Sequence, residues 1–425
     1  MAVETQILFN NVTLITEPVA TVKTAAVGFW FRIGSRYENV QQRGISHFVE
    51  HMLFKGTNTK NALDIATCFD KIGGYINAFT ERENMCIHFV VPSTHLEIAF
   101  NVVVDMITNS IFDINELERE RSVIISEIIS SLDDSEEIAL DAASESIWPN
   151  NSISECIAGS IKNVELLKRQ DLLNWYNDFI INGQLIICAA GNINKTLLTS
   201  LSEKISKKQL KISKNLETPI WNKGLKFKKA PFQQLQFFLQ FPIALPMTER
   251  KYYAYSILNA LVGDTMSSRL FQKLREKGGF SYNVYSFLTF YSDTACWCAY
   301  ASSSKKNAIK VTTTIITEII NLMIDSFTDD ELKAASEHLC GEEIISAEDM
   351  EYRIKRIYRN YSFNFDQRTT EEIIEILRSI SKNEIEDVLH ELFDLENMAF
   401  FVYGVKTDRT ITKNIKTLTK KYLNV

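Results

Sequence analysis

Two histidines, His47 and His51, stand four residues apart in the stretch Gly44-Ile-Ser-His-Phe-Val-Glu-His-Met-Leu-Phe-Lys-Gly-Thr57. On a helix that spacing sets both imidazoles on one face about one turn apart, the bite a metal ion needs. Glu50, three residues after His47, falls on the edge of the same face, where a carboxylate can reach a water on the metal without displacing it. The order H-x-x-E-H reverses H-E-x-x-H and is the inverzincin form of a zinc hydrolase signature. Zinc brings the pKa of water to about 7 when three protein ligands leave a fourth position open. Two histidines are one ligand short. The alternative is a solvated helix edge, since so short a pattern also arises by chance. Against it, the chain has only six His, and these two sit among Ile45, Phe48, Val49, Met52, Leu53 and Phe54. Unpaired imidazoles and a carboxylate are costly to bury in such a segment.

The missing ligand is expected from an acid-rich helix over Glu116 to Ser131, with Asn115 as its N-cap. Most glutamates on a helix are simply solvated. Glu127 differs because it stands between Ile124, Ile125 and Ile128, Ile129, and it is the best candidate. Glu120 lies seven residues earlier, nearly two turns along the same stripe, where it could orient a ligand or hold the helix in place.

A chain of 425 residues must supply the elements that bring these groups together, and that length suggests two to four domains. A hydrophobic content of 45% with 23% charged residues is that of a soluble globular protein. The net charge of −7 gives no nucleic-acid footprint. Seven cysteines (68, 86, 156, 188, 296, 298 and 340) are scattered without a C-x-x-C pair and read as reduced core thiols. The first residues lack the features of a secretory signal or a transit peptide, and no apolar run reaches membrane-spanning length. A cytoplasmic protein is expected, or a mitochondrial matrix protein after processing, with no membrane partner.

Strands are expected over Gln6 to Phe9, with a turn at Asn10-Asn11, then Val12 to Thr16 and Ala25 to Ile33. Helices follow at 61–72 and 96–110, around a strand pair Tyr75 to Thr80 and Met85 to Val91. Further helices are expected over 141–148, 164–180 and 197–208, with a strand at 185–191. From Gln209 to Lys229 the pattern dissolves into Lys, Ser, Asn, Thr and Pro, which reads as a connector. Beyond it the pattern restarts. Phe112-Asp-Ile-Asn-Glu-Leu117 is echoed by Phe327-Thr-Asp-Asp-Glu-Leu332, an offset of 327 − 112 = 215. Two homologous α/β sandwich domains are therefore expected, residues 1–208 and 230–425 joined by a linker at 209–229. The offset carries Glu127 to Glu342, but no His stands near Val262-Gly263, where the pair should recur. The second domain thus lacks the metal and most simply forms the opposing wall of a substrate chamber. Within it, Arg275 and Tyr282 could donate hydrogen bonds to a substrate carbonyl; equally, Arg275 could serve its helix end and Tyr282 pack in a strand.

With these residues in place, the chain resembles the pitrilysin/insulinase superfamily of zinc peptidases, in the branch of mitochondrial processing peptidase and its bacterial relatives. Gly34-Ser-Arg-Tyr-Glu38, the His47 to His51 stretch, Gly73-Gly74 with Asn77-Ala-Phe-Thr80, Glu120 to Glu127, and Ser268-Arg-Leu-Phe-Gln with Arg275 and Tyr282 all match its pattern. The resemblance implies one zinc ion per chain on His47, His51 and Glu127, Glu50 as general base and Glu120 in support. Asn77, Ala78, Phe79 and Thr80 would be the edge strand to which an extended peptide adds. Arg275 and Tyr282 would approach the scissile region. The implied fold is a clamshell around a peptide chamber, and the implied activity is endopeptidase cleavage of short unfolded peptides, with presequence-like segments a candidate class. A homodimer is implied, because the chain shows no glycine-rich loop of the kind carried by a partner subunit. The alternative within the superfamily is a catalytically silent peptide-holding subunit, against which the intact His47, Glu50, His51 and Glu127 argue.

Overall fold

Apolar stretches with few charges form most of the strands, and most of the long helices carry an apolar stripe at helical spacing. The computed structural model describes residues 3–8, 12–205 and 216–423. The turn expected at Asn10-Asn11, the tail of the helix expected to run to Lys208 and the connector from 209 to 215 lie outside the described residues. The chain divides into two units, one of residues 1–133, 155–217 and 345–369, the other of 134–154, 218–344 and 370–425.

In the first unit, strands β1 (Glu4–Ile7), β2 (Thr13–Pro18), β3 (Thr24–Phe31), β4 (Tyr75–Thr80), β5 (Met85–Pro92) and β6 (Leu185–Gly191) form a sheet of order β1-β2-β6-β3-β5-β4. Only β2 and β6 run parallel; the other neighbours are antiparallel. Helices α1 (Ile45–Leu53), α2 (Ala62–Ile72), α3 (Leu96–Asn109) and α4 (Ile114–Ser131) cover one face, and Phe29, Phe48, Phe100 and Ile124 meet in the core between. The other face is covered by the helix Met350–Ser362, whose Met350, Ile354, Ile357 and Tyr358 bury against Ile15, Trp30, Cys86 and Ile186. Trp30 and Tyr358 stack at 4.7 Å. Full burial of each aliphatic side chain stabilises by about 1.5–3 kcal/mol. Buried Glu17 fixes the same helix through Arg356 at 2.7 Å and Arg353 at 2.5 Å.

In the second unit, β7 (Gly224–Lys228), β8 (Gln234–Pro242), β9 (Val284–Phe290), β10 (Ala295–Ser304) and β11 (Ala399–Tyr403) are ordered β7-β11-β8-β10-β9. This repeats the first sheet strand for strand without β1, down to the single parallel pair, here β7 with β11. Helix α5 (Ser135–Ile147) lays Ala139, Ala142 and Ala143 on Phe238, Tyr300, Phe401 and Tyr403. The helices Glu249–Asn259, Ala308–Asp325 and Arg409–Leu423 pack on the opposite face.

The duplication is thus present, but the boundary is not a single cut. Helix α5 and the helix Met350–Ser362 are both 13 residues long and are offset by 350 − 135 = 215, and each belongs to the unit built mainly from the other half of the sequence. A division at 208 and 230 misses this exchange, because local periodicity carries no information about which sheet an amphipathic helix will cover. The connector also holds β7, where Leu225 and Phe227 reach the core between lysines that disguise the alternation. The cap of α4 is Asp113, not Asn115: its carboxylate accepts from the backbone N–H groups of Asn115 and Glu116 at 2.8 and 3.1 Å. The helix expected over Val164 to Ile180 is broken into Ile161–Leu166, Arg169–Trp175 and a wider turn at Tyr176–Ile181. No disulfide joins any of the seven cysteines, and no described helix is long and apolar enough to cross a membrane.

Candidate metal centre

Helix α1 starts where it does because its first turn is closed from outside. Gly44 has φ 88°, and a Cβ there would stand 2.5 Å from the Ala158 carbonyl oxygen, so only glycine fits. The buried carboxylate of Glu38 accepts from Gly44 N–H at 2.7 Å and Ser46 N–H at 2.8 Å, satisfying orphan donors and placing negative charge at the helix start. From there Ile45, Phe48, Val49, Met52 and Leu53 turn into the core. His47, Glu50 and His51 are left on the less buried side.

Helix α4 brings the carboxylates. Glu127 Oε2 lies 3.4 Å from His47 Nε2 and 3.6 Å from His51 Nε2, and the imidazole rings stack at 4.6 Å. The three donor atoms lie within 4.8 Å of one another, and no other group of three or more His, Cys, Asp or Glu residues among the described residues is so arranged. Glu120 reaches the same side of α1, with Oε2 3.0 Å from His51 Nδ1 and Oε1 2.7 Å from Lys55 Nζ. A proton on Nδ1 shared with that carboxylate leaves the Nε2 lone pair of His51 facing Glu127.

Glu127 reaches the site by a different route from the one its neighbours suggest. Ile124 and Ile128 are buried, but the Glu127 side chain is 48% exposed and Ile129 faces outward. Glu120, at 8% exposure, is the truly buried carboxylate of the pair, and Lys55 balances its charge.

The donor set fits a zinc ion. His47 Nε2 is buried without a hydrogen-bond partner, 3.4 Å from Glu127 Oε2, so a nitrogen lone pair is held inside the protein facing a carboxylate. Two imidazoles and one carboxylate form a three-ligand set that leaves a position open. Burial, followed by the neighbouring His51 charge, lowers the His47 pKa, which favours the neutral ligand form, while Glu127 pulls the other way. Burial raises the Glu50 pKa from its ordinary value, and the hydrogen bond from Thr80 acts against that.

Asn77, Ala78, Phe79 and Thr80 lie on β4, the outermost strand of the first sheet. Ile76 and Ala78 face the core under α1, Phe79 faces the opposite side, and the Thr80 hydroxyl donates to Glu50 Oε2 at 2.5 Å. Arg275 and Tyr282, in the second unit, meet each other: the guanidinium stands 4.6 Å over the Tyr282 ring and 4.9 Å over Phe271. Tyr282 is largely exposed. Sequence reading gave no individual role to Glu38 or Lys55. Lys55 could have been sought four residues beyond His51, one turn further along the same helix.

Two family models match this chain, that of insulinase, peptidase family M16, over residues 13–160, and that of the peptidase M16 inactive domain over residues 167–339. The chain is similar to a protein of Bacillus subtilis (strain 168) named an uncharacterized zinc protease, YmxG, with 31% identity over 385 residues, covering 90% of this chain and 94% of that one. An uncharacterized zinc protease of Rickettsia felis is 31% identical over 388 residues, covering 91% and 94%. Among solved structures, the M16 inactive domain protein of Pseudomonas fluorescens superposes with a TM-score of 0.86 at 15% identity, covering 96% of this chain and 99% of that one. A protease from Helicobacter pylori superposes with a TM-score of 0.84 at 17% identity, covering 95% and 100%.

Proposed function

This chain belongs to the insulinase family, peptidase family M16, and from that premise we propose that it is a zinc-dependent endopeptidase that hydrolyses unfolded peptides laid along β4. The observation that carries the reading is the convergence of His47, His51 and Glu127 beside Glu50, a carboxylate outside that donor set whose Oε2 accepts from Thr80. A zinc ion held by the three would supply the positive charge that acidifies water and polarises a peptide carbonyl.

The remaining work falls to side chains and backbone of this protein. Glu50 accepts a proton from the attacking water as its oxygen bonds to the carbonyl carbon. It returns that proton to the amide nitrogen as the C–N bond breaks, so that acid and amine leave with the atoms of one water added. The raised pKa of Glu50 strengthens it as a base and lets it hold the proton between the two transfers. Glu120 and Lys55 keep the His51 ring in one orientation. The free edge of β4 offers backbone N–H and C=O groups to an extended chain, which favours unfolded segments over folded proteins and asks little of side-chain identity.

The test uses purified protein and a quenched-fluorescence peptide library. Chelation should abolish cleavage and zinc should restore it. Glu50→Gln should keep bound zinc while lowering kcat by roughly 10²–10⁴-fold. Cleavage by that variant at the wild-type rate would sink the assignment of the base, and a wild-type protein that cleaves nothing with zinc present would sink the peptidase reading.

A further inference from the structure

The helix Met350–Ser362, packed chiefly on β3 and β6, reaches the β4–β5 hairpin with Glu351, Lys355 and Tyr358, which share one helix face. The Tyr75 hydroxyl, at the start of β4, donates to Glu351 Oε2 at 2.8 Å. The other oxygen of Glu351 lies 3.2 Å from His88 Nε2 on β5 and 2.6 Å from Lys355 Nζ. Lys355 stands 5.4 Å over the Phe79 ring, and the Tyr358 hydroxyl donates to Asn84 in the hairpin turn. The hairpin is thus held at its outer end, its middle and its turn. β4 pairs only with β5, so nothing else in the sheet fixes its free side.

The opposite end of β4 is tied to the candidate metal centre, since Thr80 holds Glu50. Tyr75 stands five residues away, roughly 17 Å at about 3.4 Å per residue. One strand therefore carries the base's hydrogen-bond donor at one end and a side-chain clasp at the other.

The same clasp recurs in the second unit. Glu136, like Glu351 the second residue of its helix, accepts from Tyr285 of β9 at 2.7 Å and from Tyr300 of β10 at 3.2 Å. Its offset from Glu351 is 351 − 136 = 215, that of the two helices themselves. The fold supplies the clasp twice, but only in the first unit does the clasped strand reach a Glu beside a possible metal ligand set among the described residues.

We propose that Tyr75 and Glu351 are positioning residues that fix the far end of the peptide-receiving strand, and so set the length of peptide that binds with full affinity. The proposal rests on the peptidase reading above. A peptide reaching five or more residues past the scissile bond along β4 lies beside the clasped end, whereas a shorter one meets only the end held by Thr80.

Two series of quenched peptides, lengthened one residue at a time on either side of the scissile bond, test this with the zinc-loaded protein. In one series KM should fall as the peptide grows to about five residues on that side. Tyr75→Phe and Glu351→Gln should erase this gain, raising KM of the long peptides by roughly three- to tenfold and leaving kcat, zinc content and short-peptide KM unchanged. The double variant should be no worse than either single one. Tyr285→Phe, which removes the matching tyrosine bond to Glu136 while Tyr300 and Asn283 still hold it, should leave the length profile intact and so controls for general loosening. Equal KM changes at every length, or the same change from Tyr285→Phe, overturns the proposal. Wild-type cleavage with unaffected variants overturns the clasp alone, whereas a wild-type protein that cleaves no peptide in either series overturns the peptidase reading and the clasp's role with it.

Discussion

The two units share strand order, strand directions and even the exchanged helix, yet their polar interiors are finished in opposite ways. In the first, His47 Nε2 is buried without a hydrogen-bond partner and Glu127 stands half exposed before it. In the second, the helix following β8, as α1 follows β3, buries Asn259. Its Oδ1 accepts from Trp297 Nε1 at 2.9 Å and Ser286 Oγ at 2.7 Å, while its Nδ2 donates to the Ser286 carbonyl at 3.3 Å. On the matched helix Asp329–Ser346, Glu120 is answered by Ala335, and Glu127 by Glu342, which turns to His338 of its own helix at 3.1 Å. The Asn259 amide is satisfied by its neighbours and needs nothing further, whereas an open set of donors facing a carboxylate calls for a cation. The fold accommodates both, so the ligands are an addition to the architecture rather than part of what holds it.

The sharpest way to break this comparison is to make one change in both units. Glu127→Ala should lose zinc on dialysis and lose peptide cleavage by more than about 10³-fold, while Glu342→Ala should alter neither, as read by metal analysis and initial rates. Next in size is the dependence of each unit on a helix from the other half of the sequence. Ile354→Ala opens a cavity under the first sheet and should destabilise that unit by about 2–5 kcal/mol, measured by denaturant unfolding. Glu120→Gln should weaken zinc binding by roughly 10–100-fold in chelator competition, because His51 loses the charged partner that fixes its ring.

The smallest effect concerns Glu331, the counterpart of Glu116 in the repeated Phe-x-x-x-Glu-Leu segment. Arg269 holds it in a two-pronged pair at 2.7 and 2.9 Å and pulls its pKa from 4.5 down to about 2. A carboxyl lowered in the folded state stabilises at pH values above its ordinary pKa, and that contribution disappears as pH falls toward 2. Glu331→Gln should therefore lower the Tm of the second unit slightly at neutral pH, with the gap to wild type closing in acid. Glu116→Gln, whose partner Arg119 is exposed, should show less.

Much of this was legible in the chain itself. His47, Glu50 and His51 were marked by spacing alone, since helical geometry converts an interval of four into a shared face. Glu127 was selected because isoleucines flank it, yet its side chain stands at the exposed edge of α4 beside both imidazoles, since flanking residues do not fix the face on which a side chain lies. The duplication was visible because turns and caps repeat with the fold. The exchange of α5 with Met350–Ser362 was not visible, because two amphipathic helices of equal length fit either sheet on local grounds. The strand β7 escaped because lysines at 223, 226 and 228 mask two inward side chains. The work of Glu38 and Thr80 depends on contacts between separate elements, which spacing within a single element does not encode.

The helix Met350–Ser362 also constrains how this protein comes into being. Its segment leaves the ribosome only after residues 218–344, a stretch of 344 − 218 + 1 = 127 residues, which at cellular elongation rates is a delay on the order of ten seconds. Through that interval the nascent first sheet has one face uncovered, with Trp30, Ile186 and Cys188 open to solvent or to a chaperone. A gene cut at the apparent connector would therefore yield two insoluble fragments rather than two domains, and co-expression of the pieces would succeed only where each fragment can recover the helix lodged in the other.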